Sequence, residues 1–179
     1  MTNMKYSVLP ILFLLVLLAT ACSHKFDSSV LDLNFYQWNL WPDRVADFQE
    51  NAPSCGWEEL HRGNGKLVRI PAMTGDHFPN EEETNVFWYH CRFTLPEDWE
   101  EKEVVLRFEG VGPMAKAFLN EVPIGSFSDA EGGFDMDVSE VIYYTRDNHL
   151  AIQVSDSESL DSSVLGISGT VQARLKTTP

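Results

Sequence analysis

Residues 86–96, VFWYHCRFTLP, place Phe87, Tyr89, Cys91 and Phe93 on one side of an extended chain and Trp88, His90, Arg92 and Thr94 on the other. Successive side chains of a strand point to opposite faces, so this alternation reads as a β-strand closed by Pro96. Working outward, VVLRFEGV at 104–111 alternates Val104, Leu106 and Phe108 with Val105, Arg107 and Glu109. MAKAFLN at 114–120, the turn-like EVPIGSF at 121–127, FDMDV at 134–138, the strand within 147–156 and TVQARL at 170–175 repeat the pattern at short intervals. Ser139 is placed to cap a brief helical turn in SEVIYY. Upstream, Leu31, Leu33 and Phe35 alternate with Asp32, Asn34 and Tyr36, KLVRIP at 66–71 reads as a short strand stopped by Pro71, and HRGNG at 61–65 as a turn. Residues 72–85, AMTGDHFPNEEETN, lack periodicity and predict a long exposed loop. Seven or eight strands with turn-rich links and no sustained helix predict an all-β sandwich.

Of 179 residues 44% are hydrophobic and 22% charged, which leaves room for one sizeable core and excludes a compositionally disordered chain. Acids outnumber bases 27 to 13, and a net charge of -14 repels phosphates, so nucleic acid is excluded as a partner. Residues 8–18, VLPILFLLVLL, suit the core of a signal peptide and are too few to span a bilayer. They lead through Ala19, Thr20 and Ala21 into Cys22 and the polar Ser23, and this resembles the bacterial lipoprotein signal, whose cysteine is lipidated. The expected division is a signal peptide at 1–21, a lipidated Cys22 with tether at 22–29, and one β-sandwich at 30–176. The expected location is the bacterial envelope, membrane-anchored through lipid and facing away from the cytoplasm.

Chemistry is harder to find. Cys55 and Cys91 remain as a candidate disulfide or as core thiols, Cys91 sharing a face with Phe87 and Phe93. Histidines 24, 61, 77, 90 and 149 show no paired-ligand spacing, so no metal site is expected. The glycine segments lack the order of a phosphate cradle, and no cofactor is implied. There is no G-x-S-x-G elbow, and the many carboxylates read as a solvated acidic surface. Sugar binding is the easier chemistry: aromatic faces stack on pyranose rings while polar groups take the hydroxyls. Trp41 beside Pro42 and Asp43, Trp88 near the acidic loop, and His77 and Phe78 between Gly75 and Pro79 are the candidates, ahead of Trp38, Trp57 and Trp99.

From 86 to 175 the motifs fall in an order that resembles the N-terminal sugar-binding domain of family 2 glycoside hydrolases, the β-galactosidase and β-glucuronidase relatives. The residues carrying the likeness are Trp88 and Tyr89, Leu95 and Pro96 with Trp99, Leu106 through Val111, Asn120 through Gly125, Phe134 through Val138, and Asn148 through Val154. Glu121 departs from the pattern, standing where a glycine usually follows Asn120. The resemblance implies a galactose-binding-like jelly roll. It also implies that the family's two catalytic glutamates belong to a separate barrel, so the chain on its own is expected to be non-catalytic. Loops of such domains can reach the barrel's sugar subsite, which adds Asp76 to the binding candidates. Three functions follow as expectations: a lipid-anchored accessory module binding polysaccharide or oligosaccharide, a fragment or partner subunit of a glycosidase whose barrel is encoded separately or lost, or an assembly module without a sugar site.

Overall fold

The computed structural model describes residues 28–46, 48, 50–79, 84–128, 133–155 and 165–176. Cys22 and the signal segment lie outside the described residues, as do residues 80–83 of the expected acidic loop. In chain order the elements are β1 (Val30–Asp32), β2 (Trp38–Pro42), α1 (Trp57–His61), β3 (Lys66–Val68), β4 (Ala72–Met73), α2 (Thr74–His77), β5 (Val86–Phe93), β6 (Val104–Phe108), β7 (Val111–Gly112), β8 (Met114–Leu119), β9 (Val122–Ser128), β10 (Phe134–Asp137), β11 (Asn148–Ser155), β12 (Gly166–Ile167) and β13 (Val171–Leu175).

The strands form a six-stranded sheet in the order β3-β2-β5-β11-β8-β9, a four-stranded sheet β1-β13-β6-β10 and a small third sheet β4-β12-β7, all with antiparallel pairing. This is the jelly-roll sandwich of the galactose-binding-like class. One continuous core lies between the two larger sheets. Phe87, Tyr89, Cys91 and Phe93 of β5 and Leu150, Ile152 and Val154 of β11 meet Leu106 and Phe108 of β6 and Val171 and Ala173 of β13 there. Several buried polar groups are paired: Trp38 Nε1 donates to Leu33 O at 2.9 Å and Tyr89 Oη to Ala72 O at 2.8 Å. Asn148, fully buried, accepts from Tyr143 N and donates to Tyr143 O, closing the turn that enters β11.

The outer face of the six-stranded sheet is also covered. Leu60, Val86, Trp88, Phe118 and Ala151 form a second cluster, with Trp41, Cys55 and Trp57 packed on it. Residues 43–46, 48 and 50–65, including α1, lie over this face. Asp43 anchors them: its buried carboxylate accepts from Trp88 Nε1 at 3.0 Å, from Ser54 N at 2.9 Å and from the Ser54 hydroxyl.

Several sequence expectations are corrected. The strand at 31–35 ends at Asp32, whose side chain accepts from Asn34 N and caps a 3₁₀ turn over Leu33–Phe35. The loop at 72–85 is built in part as β4, which pairs with β12, followed by α2. SEVIYY makes one turn, closed by Val141 N and Ile142 N on Val138 O, and Ser139 instead accepts from Val104 N and bonds Asp137. The Cys55–Cys91 disulfide does not form: both are free thiols, because Cys91 points into the inter-sheet core while Cys55 packs on the opposite face of the same sheet. Burial pushes the Cys91 thiol up to about 12.

Candidate functional site

The proposed binding residues do not converge on one point. Trp41, half-buried on β2, and Phe78, just past α2, share a shallow cleft of about 200 Å³ with Arg44, Asn64 and Lys66. Lys66 bridges the two elements: its ammonium donates to His77 O at 2.7 Å and lies 5.4 Å from the Phe78 ring centre. His77 lines a different cleft of about 500 Å³ with Phe35, Tyr36, Leu67 and Arg69. There Phe35 is 86% exposed and Leu67 59% exposed, so the cleft carries an apolar rim. Asp76 is exposed on α2 and lines neither cleft.

Trp88 is corrected outright as a sugar platform. Its side chain is fully buried, packed edge-on against Trp57 at 5.6 Å and tilted on Phe118, and its N–H is held by Asp43. No ring face is left for a ligand. The lesser candidates Trp38 and Trp99 are buried as well, Trp99 donating to Ser28 O at 2.8 Å.

Strand pairing assembles three histidines whose spacing along the chain shows no ligand set. In the β5–β11 register Arg92 faces His149 and His90 faces Ala151, so His90 and His149 are diagonal neighbours on the outer face. His61, at the end of α1, comes down on both. The ring centres are 4.1 Å apart for His61 and His149, and 5.3 Å for each of the other two pairs. His90 Nε2 is 3.0 Å from His149 Nδ1, and one potential ligand atom from each histidine lies within 4.8 Å of the others. His61 and His90 line a cleft of about 260 Å³ with Gln37, Asn39, Arg62 and Arg92.

The electrostatics keep these rings neutral. Burial lowers the proton affinity of all three, and for His90 burial, His149, His61 and Arg92 together bring the pKa down to about 3. Two ring nitrogens, His61 Nε2 and His90 Nδ1, are buried without a hydrogen-bond partner, as is Asn39 Oδ1 across the ladder from His90. Two carboxylates are displaced in the direction opposite to a proton-donating glycosidase acid. Hydrogen bonds from Thr170 and Arg107 lower Glu109, and those from Lys176 and Ser139 hold Asp137 at about 2.

Comparison with known proteins places this architecture. Residues 73–163, half of the chain, match the glycosyl hydrolase 2 galactose-binding domain-like family. A β-galactosidase of Thermoanaerobacter pseudethanolicus is 33% identical over 108 residues, which cover 58% of this chain and 14% of that enzyme. A β-glucuronidase of Formosa agariphila is 25% identical over 130 residues, covering 70% of this chain and 13% of that enzyme. Among solved structures, the β-glucuronidase of Ruminococcus gnavus bound to uronic deoxynojirimycin superposes with a TM-score of 0.64 at 19% identity, over 82% of this chain and 29% of that one. The chain thus spans about one seventh of the length of these curated relatives. The jelly-roll order and the family match together show that the chain belongs to the galactose-binding-like N-terminal domain family of the family 2 glycosyl hydrolases.

Proposed function

We propose that this domain is the non-catalytic N-terminal module of a family 2 glycosidase of the β-galactosidase or β-glucuronidase kind, acting with a catalytic barrel supplied outside these 179 residues. The observation that carries the reading is the alignment of the jelly roll with a small part of much larger glycosidases. The apolar rim of Phe35 and Leu67 around His77 is the surface best suited to pack against such a partner, since the two exposed side chains line one cleft together. The test is co-isolation of the chain with a barrel-bearing polypeptide encoded beside it, followed by assay on p-nitrophenyl β-galactoside and β-glucuronide. Hydrolysis that requires both chains supports the proposal; hydrolysis unaffected by removing this chain contradicts it.

A second reading, an accessory module that binds polysaccharide or oligosaccharide by itself, is favoured by the Trp41 and Phe78 cleft, where aromatic surface meets Arg44, Asn64 and Lys66. Saturable calorimetric binding of an oligosaccharide, lost in Trp41→Ala, would select it. In either case we propose attachment to the bacterial envelope through a lipid on Cys22, motivated by the apolar run at 8–18 and the small residues before that cysteine. Metabolic labelling with a fatty acid tests this, and loss of label in Cys22→Ser is the expected result; label retained in that variant would contradict it.

A further inference from the structure

We propose that His61, His90 and His149 form a binding site for a divalent first-row transition metal, zinc(II) above all, which pins α1 to the six-stranded sheet. Imidazole nitrogens suit zinc and its neighbours, and three such ligands with one open position make a recognised zinc arrangement. In a tetrahedral site with bonds of about 2.05 Å the nitrogens stand about 3.3 Å apart. The His90 Nε2 and His149 Nδ1 pair is already at 3.0 Å, and the full set lies within 4.8 Å, so the rings must draw together by no more than about 1.5 Å to share one ion.

The atoms around the trio fit the same assignment. With His61 Nε2 as ligand, the nitrogen that has no partner in the protein acquires one, and His61 Nδ1–H is left facing Glu121 Oε1, 3.8 Å away. His90 Nδ1 also lacks a partner, as does Oδ1 of Asn39, which stands opposite His90 in the β2–β5 ladder. Ligating histidines normally present their second ring N–H to a carboxylate or carbonyl in this way. The nearby cations are engaged elsewhere: Arg92 pairs with Asp147 at 3.6 Å, and Arg62 with Glu58 and Glu59. His61 and His90 line the cleft at Gln37 and Asn39, which gives an ion a route to the site. The three histidines lie apart from Phe35, Leu67 and His77 of the proposed docking rim.

The test is zinc chloride titrated into the full chain, purified in detergent through a tag free of histidine and stripped with a chelator. The proposal expects one zinc per chain at micromolar concentration, a visible d–d spectrum of low-coordinate cobalt when Co(II) replaces it, and a zinc-dependent rise in Tm of at least about 3 °C. His61→Gln and His149→Gln should each weaken binding at least about tenfold while leaving the circular dichroism unchanged. His61 sits at the end of a short surface helix, so His61→Gln decides the matter if His149→Gln misfolds. Absence of binding, or binding of several ions that both variants retain, overturns the proposal and leaves the trio as a stacked cluster of neutral rings.

Discussion

Asp43 shows how one residue can fix a whole covering segment. Its carboxylate, 2% exposed, takes three hydrogen bonds, one from the indole of Trp88 on β5 and two from Ser54 eleven residues on. Asp43→Ala would leave the buried Trp88 N–H without an acceptor, and a loss of about 2–3 kcal/mol in chemical denaturation is expected; a loss under about 0.5 kcal/mol would show that residues 43–65 are held by apolar packing alone. Asp137 makes the pH prediction. Lys176 and Ser139 depress its pKa to about 2, so its contribution to stability is present above the ordinary value near 3.8 and is lost as pH falls through about 2. In Lys176→Met, NMR titration of the Asp137 carboxyl should find its midpoint moved up towards 3.8; an unmoved midpoint would assign the depression to Ser139 alone. Trp88 was misread from the sequence for a physical reason. Alternation shows that it faces away from the main core, but only the fold shows that a second layer covers that face.

At the scale of elements, β5, β6 and β11 were legible because each contributes long alternating runs to the sandwich core. β2 was not, since Trp38 and Leu40 enter one core while Trp41 packs beneath the covering segment, and five residues ending in Trp-Pro are too short a run to show alternation. α1 has five residues, too few for a helical period to register, and β4, β7 and β12 have two each. The histidine trio was hidden for another reason: it depends on the register of β5 with β11 and on where α1 lands, neither of which spacing reveals. The β8–β9 turn is the place where a sequence departure has a measurable cost. Asn120 and Glu121 hold φ of 53° and 71°, a conformation that suits glycine at the second position, and Asn120 is retained by bonds to His149 N and Val141 O. Glu121→Gly should therefore stabilise the domain by about 0.5–1 kcal/mol, read as a raised denaturant midpoint. A lowered midpoint would mean that the Glu121 carboxylate, facing His61, outweighs the relief of backbone strain.

For the whole molecule, the family 2 jelly roll was readable because its motifs are the strands and turns themselves. The proposed docking surface was not, because Phe35, Leu67 and His77 come together only through pairing of β3 with β2 and the placement of α2. The Trp41 cleft and the His77 cleft lead to opposed expectations. If Trp41 and Phe78 bind sugar unaided, Trp41→Ala removes affinity; if the Phe35 and Leu67 rim docks a barrel, that substitution leaves assembly intact. The most direct test of the central claim is therefore the β-galactoside and β-glucuronide hydrolysis of the co-isolated assembly, compared with and without a Phe35→Asp, Leu67→Asp double variant. The account predicts activity that needs this chain and falls at least about tenfold when charge is placed on the rim. A co-isolated glycosidase whose rate and association ignore both this chain and the variant would contradict it.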